Sequence, residues 1–142
     1  MAHFFIGLAY ARLGRLSDAV EAFSTVRNLA PGFPLALSLL AYAHARANQR
    51  DKALERLGEL QALATGCHVP AFCFALAVRG FGECDRAVEY LENTYKERDW
   101  FMCLLGVEPF FDDLRQHPGF INLVKRMNFP SAIAAPGMLN TV

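Results

Sequence analysis

The sequence predicts an all-α fold, a right-handed α-solenoid of three helix-turn-helix pairs followed by a C-terminal helical cap. Three observations predict it: a motif recurs every 34 residues, apolar residues follow helical spacing, and proline or glycine stands where helices should end. The recurring positions, in three successive copies, are Gly7, Ala41 and Ala75; Gly14, Asn48 and Gly82; Ala19, Ala53 and Ala87; Phe23, Leu57 and Leu91; and Val26, Leu60 and Thr94. Two short helices cannot bury their apolar faces alone, so this repeat indicates units that stack on one another.

The first copy shows how each pair should be built. Residues 3–13 carry apolar side chains at helical spacing, and Gly14 is expected to end this helix. A second helix is expected from about Ser17, whose side chain can cap its first turn, until Pro31 stops it. The same pattern places the three repeats at about residues 1–34, 35–68 and 69–99.

After residue 99 the period breaks, and two apolar segments follow that each open with a proline. Residues 100–127 are predicted to form a helical cap, beginning with a short helix over residues 100–105, because a solenoid needs an atypical unit to cover its last repeat. Residues 1–127 then make one domain. Residues 128–142 are rich in proline and small side chains and are predicted to be a flexible tail.

The first pair resembles a tetratricopeptide repeat, whose pattern is W-x2-L-G-x2-Y…A-x3-F…P. His3 stands where the tryptophan is usual, and the matching residues are Ile6, Gly7, Tyr10, Ala19, Phe23 and Pro31. The likeness covers about residues 3–99, and the segment E-P-F-F-D-D-L-R-Q-H-P-G-F resembles the one that closes such repeats in bacterial multidomain regulators. The resemblance implies a scaffold or regulatory module that binds a protein partner along the first helix of each pair.

Composition excludes several classes of function. The 14 basic and 14 acidic residues balance, so no excess of positive charge favours nucleic acid or an anionic membrane as partner. No apolar run approaches the roughly 18 residues of a membrane span, and the N-terminus lacks a basic leader, so a cytoplasmic location is expected. The four cysteines show no C-x-x-C spacing, which favours reduced, buried thiols.

No motif for catalysis or for a cofactor occurs, so neither is expected. The adjacent Asp112 and Asp113 point in different directions on a helix and are interpreted as a solvated acidic edge of the cap. His3 and His44 fall in aromatic positions of the repeat and are interpreted as packing residues. The spacing of His68, Cys67, Cys73 and Cys84 matches no recognised zinc pattern, and no metal site is predicted.

The resemblance implies that a partner contacts side chains on the first helix of each pair that are not needed for packing. These predicted groove residues are Phe4, Leu8, Arg12, Ser38, Tyr42, Arg46, Phe72, Leu76 and Arg79. They form an apolar and aromatic strip bordered by arginines, which favours a peptide or helix partner with apolar anchors and an acidic flank. Two alternatives remain open. The side chains can pack on one another, or the chain can be an oligomerisation unit, either a homodimer through its first helices or a groove filled by its own tail.

Overall fold

The computed structural model describes residues 2–99, 102 and 109–127, and over this part the chain is entirely helical, as predicted. The predicted helix over residues 100–105 and the predicted tail over residues 128–142 therefore lie outside the described residues, apart from Met102. Three antiparallel pairs precede a shorter unit made of a 3₁₀ helix and one α-helix. The elements are α1 (Ala2–Arg12), α2 (Leu16–Leu29), α3 (Pro34–Arg46), α4 (Arg50–Gly66), α5 (Ala71–Gly80), α6 (Cys84–Lys96), the 3₁₀ helix (Pro109–Leu114) and α7 (Pro118–Met127).

The turn inside each pair is the same structure three times. Gly14, Asn48 and Gly82 have φ angles of 78°, 62° and 77°, the left-handed conformation that ends a helix. In each turn the next backbone N–H donates to the carbonyl five residues earlier, over 2.9, 2.9 and 3.4 Å. The period of 34 residues is therefore present in the backbone geometry as well as in the sequence.

The predicted side-chain cap at Ser17 is wrong. Helix α2 begins at Leu16, and its N-cap residue, Arg15, makes no side-chain hydrogen bond to the helix backbone. The tight turn at Gly14 starts the helix one residue early, which leaves Ser17 exposed inside the first turn. Arg15 instead pairs with Asp18 over 2.8 Å.

Small residues lie where the helices approach most closely, as the repeat predicted. The alanines at 19, 41, 53, 75 and 87 are completely buried. A Cβ atom added to Gly7 would lie 2.6 Å from the Phe23 ring, and one added to Gly80 would lie 2.7 Å from the Tyr42 Cα atom. Phe23 and Leu91 are fully buried, whereas Leu57 is only partly buried.

Helix α3 is the centre of the molecule. It packs against α4 within its own pair, against α2 of the preceding pair and against α5 of the following pair. The junction between the first two pairs is therefore formed chiefly by α2 and α3, and the next junction chiefly by α3 and α5. Successive pairs therefore pack on one another through different combinations of helices.

The described part of the cap completes the core. The 3₁₀ helix packs on α5, and α7 packs on α6. Buried side chains of both elements join the main hydrophobic cluster of the repeats. A hydrogen bond between His117 and Asp85 and an ion pair between Arg126 and Glu92 connect the cap to α6. Among the described helices, none has the length and apolar character that crossing a membrane requires.

Candidate interaction groove

The nine predicted groove residues fall into two groups by exposure. Arg12 and Arg46 are exposed, and Leu8 and Tyr42 are half-buried. The other five are buried: Phe4, Ser38, Phe72, Leu76 and Arg79. In this conformation only the first group can contact a partner.

Two of the buried five support the fold of the first pairs. The Phe4 ring packs against Phe23 and Phe33, with centroids 6.3 and 5.4 Å apart. The Ser38 hydroxyl donates to the Leu35 carbonyl over 2.8 Å within α3, and it also makes a hydrogen bond with the Cys73 thiol of α5. Both side chains are committed to contacts inside the protein.

The cap covers another part of the predicted strip with two neighbouring aromatic rings. Phe110 meets Tyr42 edge to face with centroids 5.0 Å apart, and Phe111 meets Phe72 in the same manner at 5.5 Å. This geometry is favoured by the ring quadrupoles and adds to the gain from apolar burial. Phe110 and Phe111 are themselves buried, so the 3₁₀ helix fills the apolar centre of the strip.

An ion pair follows directly after the two rings. The Arg79 Nη2 atom donates to the carboxylate of Asp113, with the Arg79 side chain 4% exposed and that of Asp113 62% exposed. The Arg79 Nε atom is buried and has no hydrogen-bond partner among the described residues. The neighbouring Asp112 instead accepts from Arg115 Nε over 2.9 Å. Only one of the two aspartates therefore reaches α5.

A smaller cleft of about 310 Å³ remains open beside this contact. Two arginines from α1 and α3 and two aspartates from the cap provide its charges. Its lining residues are Ala11, Arg12, Gly14, Tyr42, Arg46, Phe110, Asp112 and Asp113. Three predicted groove residues, Arg12, Tyr42 and Arg46, are thus brought together, and the cap supplies one wall.

The prediction missed that residues 110–113 occupy the strip. Asp113 was interpreted as a solvated edge, but its carboxylate binds a buried arginine. A signal was present in the sequence, because P-F-F-D-D has the apolar anchors and acidic flank that were expected of a partner. What the local pattern could not show is that this segment folds back onto α3 and α5.

The surroundings of Cys73 and His44 indicate packing roles for these potentially reactive side chains. Burial raises the pKa of the Cys73 thiol to about 12, which leaves it protonated and without nucleophilic character near neutral pH. His44 is buried and its Nδ1 atom donates to Gln49 Oε1 over 2.7 Å, in keeping with the packing role that was predicted. The same prediction is wrong for His3, which is exposed because it lies on the outer side of α1.

A larger cleft of about 580 Å³ lies at the C-terminal end of α6. It is lined by Tyr95, Lys96, Arg98, Asp99, Met102 and Met127. Among the described residues this cleft brings together no nucleophile with an adjacent base.

No protein-family model, curated protein or solved structure matches this chain.

Proposed function

We propose that this chain is a right-handed tetratricopeptide-type solenoid that acts as a protein–protein interaction module. Its partner carries two adjacent aromatic residues followed by carboxylates, and the segment Phe110–Asp113 occupies the partner's place within the same chain. We call Phe110–Asp113 the cis segment. The observation that carries the proposal is the position of the cis segment on α3 and α5.

The repeated turns support the solenoid assignment. Three left-handed residues at a spacing of 34, each closed by the same backbone hydrogen bond, match the period of a helix-turn-helix repeat. The unequal junctions at α2–α3 and α3–α5 are the point at which this chain departs from an ideal repeat.

The contacts of the cis segment support the partner chemistry. Tyr42 and Phe72 present ring faces or edges to two aromatic anchors, and Arg79 provides a charge-assisted hydrogen bond to one carboxylate. The buried Nε atom of Arg79 is a further donor for an acidic ligand. Arg12 and Arg46 also line the open cleft and add positive charge to its border.

Competition between the cis segment and a partner follows from mass action. A site that is unoccupied for only a fraction of the time has an apparent dissociation constant raised by the inverse of that fraction. Weakening the cis segment should therefore tighten partner binding, even though the variant loses contacts of its own.

The test uses a fluorescently labelled peptide with the sequence Pro-Phe-Phe-Asp-Asp-Leu, titrated with the full chain by anisotropy. Phe110→Ala removes the ring that contacts Tyr42, so this variant should bind the peptide at least about tenfold more tightly than the original chain. Because loss of Phe110 can also weaken the fold, Asp113→Asn is a second, milder variant that should shift the affinity in the same direction.

Two controls separate competition from nonspecific binding. Glu83→Gln removes a carboxylate that pairs with Arg86 and does not line the cleft, and it should leave peptide affinity near that of the original chain. A peptide with both phenylalanines replaced by alanine should not bind. Equal affinity of the original chain, Phe110→Ala and Asp113→Asn, or no binding to any of them, would contradict the proposed function.

A second candidate is self-association through the outer face of α1, and exposure of apolar side chains favours it. Phe5, Ile6 and Leu13 are 61%, 44% and 72% exposed and share this face with the exposed Ala9. The exposed Arg12, two turns after Phe5, borders this face, and the net charge of zero gives little repulsion between copies. A second copy of the same face is a suitable occupant, since an isologous contact pairs like with like.

Sedimentation velocity distinguishes this candidate from the groove. Phe5→Glu should convert a dimer to a monomer, whereas Leu54→Glu, which alters an exposed apolar residue on α4, should not. A monomer for the unaltered chain over a range of concentrations would eliminate self-association and leave the groove proposal untouched.

A further inference from the structure

A histidine and two carboxylates from different parts of the chain converge on one side of the third pair. His68 lies in the connection between α4 and α5, and Glu97 and Asp99 follow the end of α6. One ligand atom from each lies within 4.8 Å of the other two. The geometry points to a binding site for a divalent transition-metal ion, Zn²⁺ in the first place, held by His68, Glu97 and Asp99.

The backbone holds the two carboxylates at a fixed turn. Glu97 is the C-cap residue of α6, Arg98 has a φ angle of 56°, and the Asp99 N–H donates to the Thr94 carbonyl over 3.2 Å. This is the same left-handed helix end as in the turns inside the pairs. Residues 97 and 99 therefore flank a rigid corner and do not lie on an extended loop.

The distances suit a metal ion after small side-chain rotations. Ligand atoms about 2.0–2.2 Å from a tetrahedral Zn²⁺ ion lie about 3.4 Å from one another. His68 and Glu97 are exposed, so their side chains can rotate to bring the ligand atoms closer to the half-buried Asp99. Three protein ligands would leave the fourth position to water or to a group from a partner.

The donor set selects the class of ion. An imidazole nitrogen with two carboxylates suits Zn²⁺ and its first-row neighbours, whereas Mg²⁺ and Ca²⁺ prefer oxygen ligands throughout. Binding would join the α4–α5 connection to the end of α6. A bound ion would thus fasten the second pair to the third.

The chain contains a matched control for the histidine. His117 Nε2 lies 2.7 Å from an Asp85 carboxylate oxygen, a histidine–carboxylate pair that no third ligand joins within the described part of the chain. Cys67, adjacent to His68 and exposed, is the other group that needs a control, because a thiolate also binds Zn²⁺.

The experiment is isothermal titration calorimetry of the full chain with zinc chloride, alongside thermal unfolding with and without the metal. We expect one equivalent to bind, at least about tenfold weaker binding in each of His68→Ala, Glu97→Gln and Asp99→Asn, and no change in His117→Ala or Cys67→Ser. Bound zinc should raise the unfolding temperature of the original chain and of both controls.

Three outcomes would overturn the site. These are no zinc binding by the original chain, a loss in Cys67→Ser or His117→Ala as large as that in His68→Ala, or competition by Mg²⁺ at concentrations similar to those of Zn²⁺. The unfolding temperature of the metal-free variants, compared with that of the metal-free original chain, shows whether a loss of binding is a loss of fold.

Discussion

Gly82 illustrates how single residues set the turns of this molecule. Its φ angle of 77° is strained for any residue with a Cβ atom, yet the space around it is open. A side chain at this position would therefore cost free energy only through the backbone conformation and not through a steric clash. Gly58 is the natural comparison, since its surroundings are equally open but it lies inside α4.

We expect Gly82→Ala to lower the free energy of unfolding by about 1 kcal/mol, because the left-handed conformation disfavours alanine. Gly58→Ala should raise it by about 0.5–1 kcal/mol, since alanine is the better helix former. Urea denaturation followed by circular dichroism measures both. The same sign for the two substitutions would show that the turn at Gly82 is not held as described.

Cys73 connects burial to the pH dependence of stability. Burial is the main cause that raises its thiol pKa from 9.0 to about 12, with a smaller contribution from the charge of Asp99, while a hydrogen bond with Ser38 acts in the opposite direction. Between these two pH values the unfolded chain has lost the proton that the folded chain keeps. The thiol therefore leaves stability unchanged below pH 9.0 and lowers it as pH rises towards 12.

For a single thiol the free energy of unfolding should fall by about 1.4 kcal/mol per pH unit within this window. Cys73→Ala removes the titrating group and should give a shallower decrease above pH 9.0, even if its stability at neutral pH is lower. Denaturation at a series of alkaline pH values checks the slope. Parallel slopes for the two proteins would mean that Cys73 is not buried in the protonated form.

At the scale of elements, glycine decides how closely helices approach. A Cβ atom at Gly7 would collide with the ring of Phe23, whereas one at Gly80 would collide with the backbone of α3 at Tyr42. A ring can be replaced, but a backbone cannot move without separating α3 from α5. The two glycines should thus respond differently to a second substitution.

We expect Gly7→Ala and Gly80→Ala each to cost about 1–3 kcal/mol of stability through overpacking. Adding Phe23→Leu should recover part of the loss at Gly7, because leucine lacks the ring atoms that the new methyl group meets. The same second substitution should recover nothing at Gly80. A double-mutant cycle measures the coupling. Equal recovery at both sites would contradict the two contacts.

The two adjacent aspartates of the 3₁₀ helix form ion pairs with different arginines. Asp113 binds the buried Arg79, so Asp113→Asn should cost about 1–3 kcal/mol by weakening the partner of a buried charge. Asp112 is 55% exposed and pairs within the cap with Arg115, whose side chain is 14% exposed, so Asp112→Asn should cost less, about 0.5–1.5 kcal/mol. Chemical denaturation of the two variants compares them directly. A larger loss for Asp112→Asn would show that the cap docks differently.

The helix pairs were predictable because their signals are local and repeated. Ala19, Ala53 and Ala87 share one position in the period, and Gly14, Asn48 and Gly82 share another, so three copies reinforce a pattern that one copy would leave weak. The N-cap at Ser17 was mispredicted because the tight turn at Gly14, and no side chain, starts α2. Capping preference is weak when the preceding turn already fixes the backbone.

On the scale of the whole molecule, the predicted groove depended on contacts that no local pattern encodes. The helix that carries each groove residue was predictable from the repeat, and Arg12, Tyr42 and Arg46 do line one cleft. The return of the cis segment onto Tyr42, Phe72 and Arg79 was not, since it joins residues more than 30 positions apart with no shared period in their side chains. The cap therefore forms part of the predicted groove.

Under the proposed function, the cis segment rests in the groove and leaves it when a partner binds. The decisive measurement is of nuclear Overhauser effects between the rings of Phe110 and Tyr42, whose centroids are 5.0 Å apart, during titration with the Pro-Phe-Phe-Asp-Asp-Leu peptide. We expect these effects to be present in the unliganded chain and to vanish as the peptide saturates it. Their absence from the unliganded chain, or their persistence when the peptide is bound, would show that the cis segment does not compete with a partner.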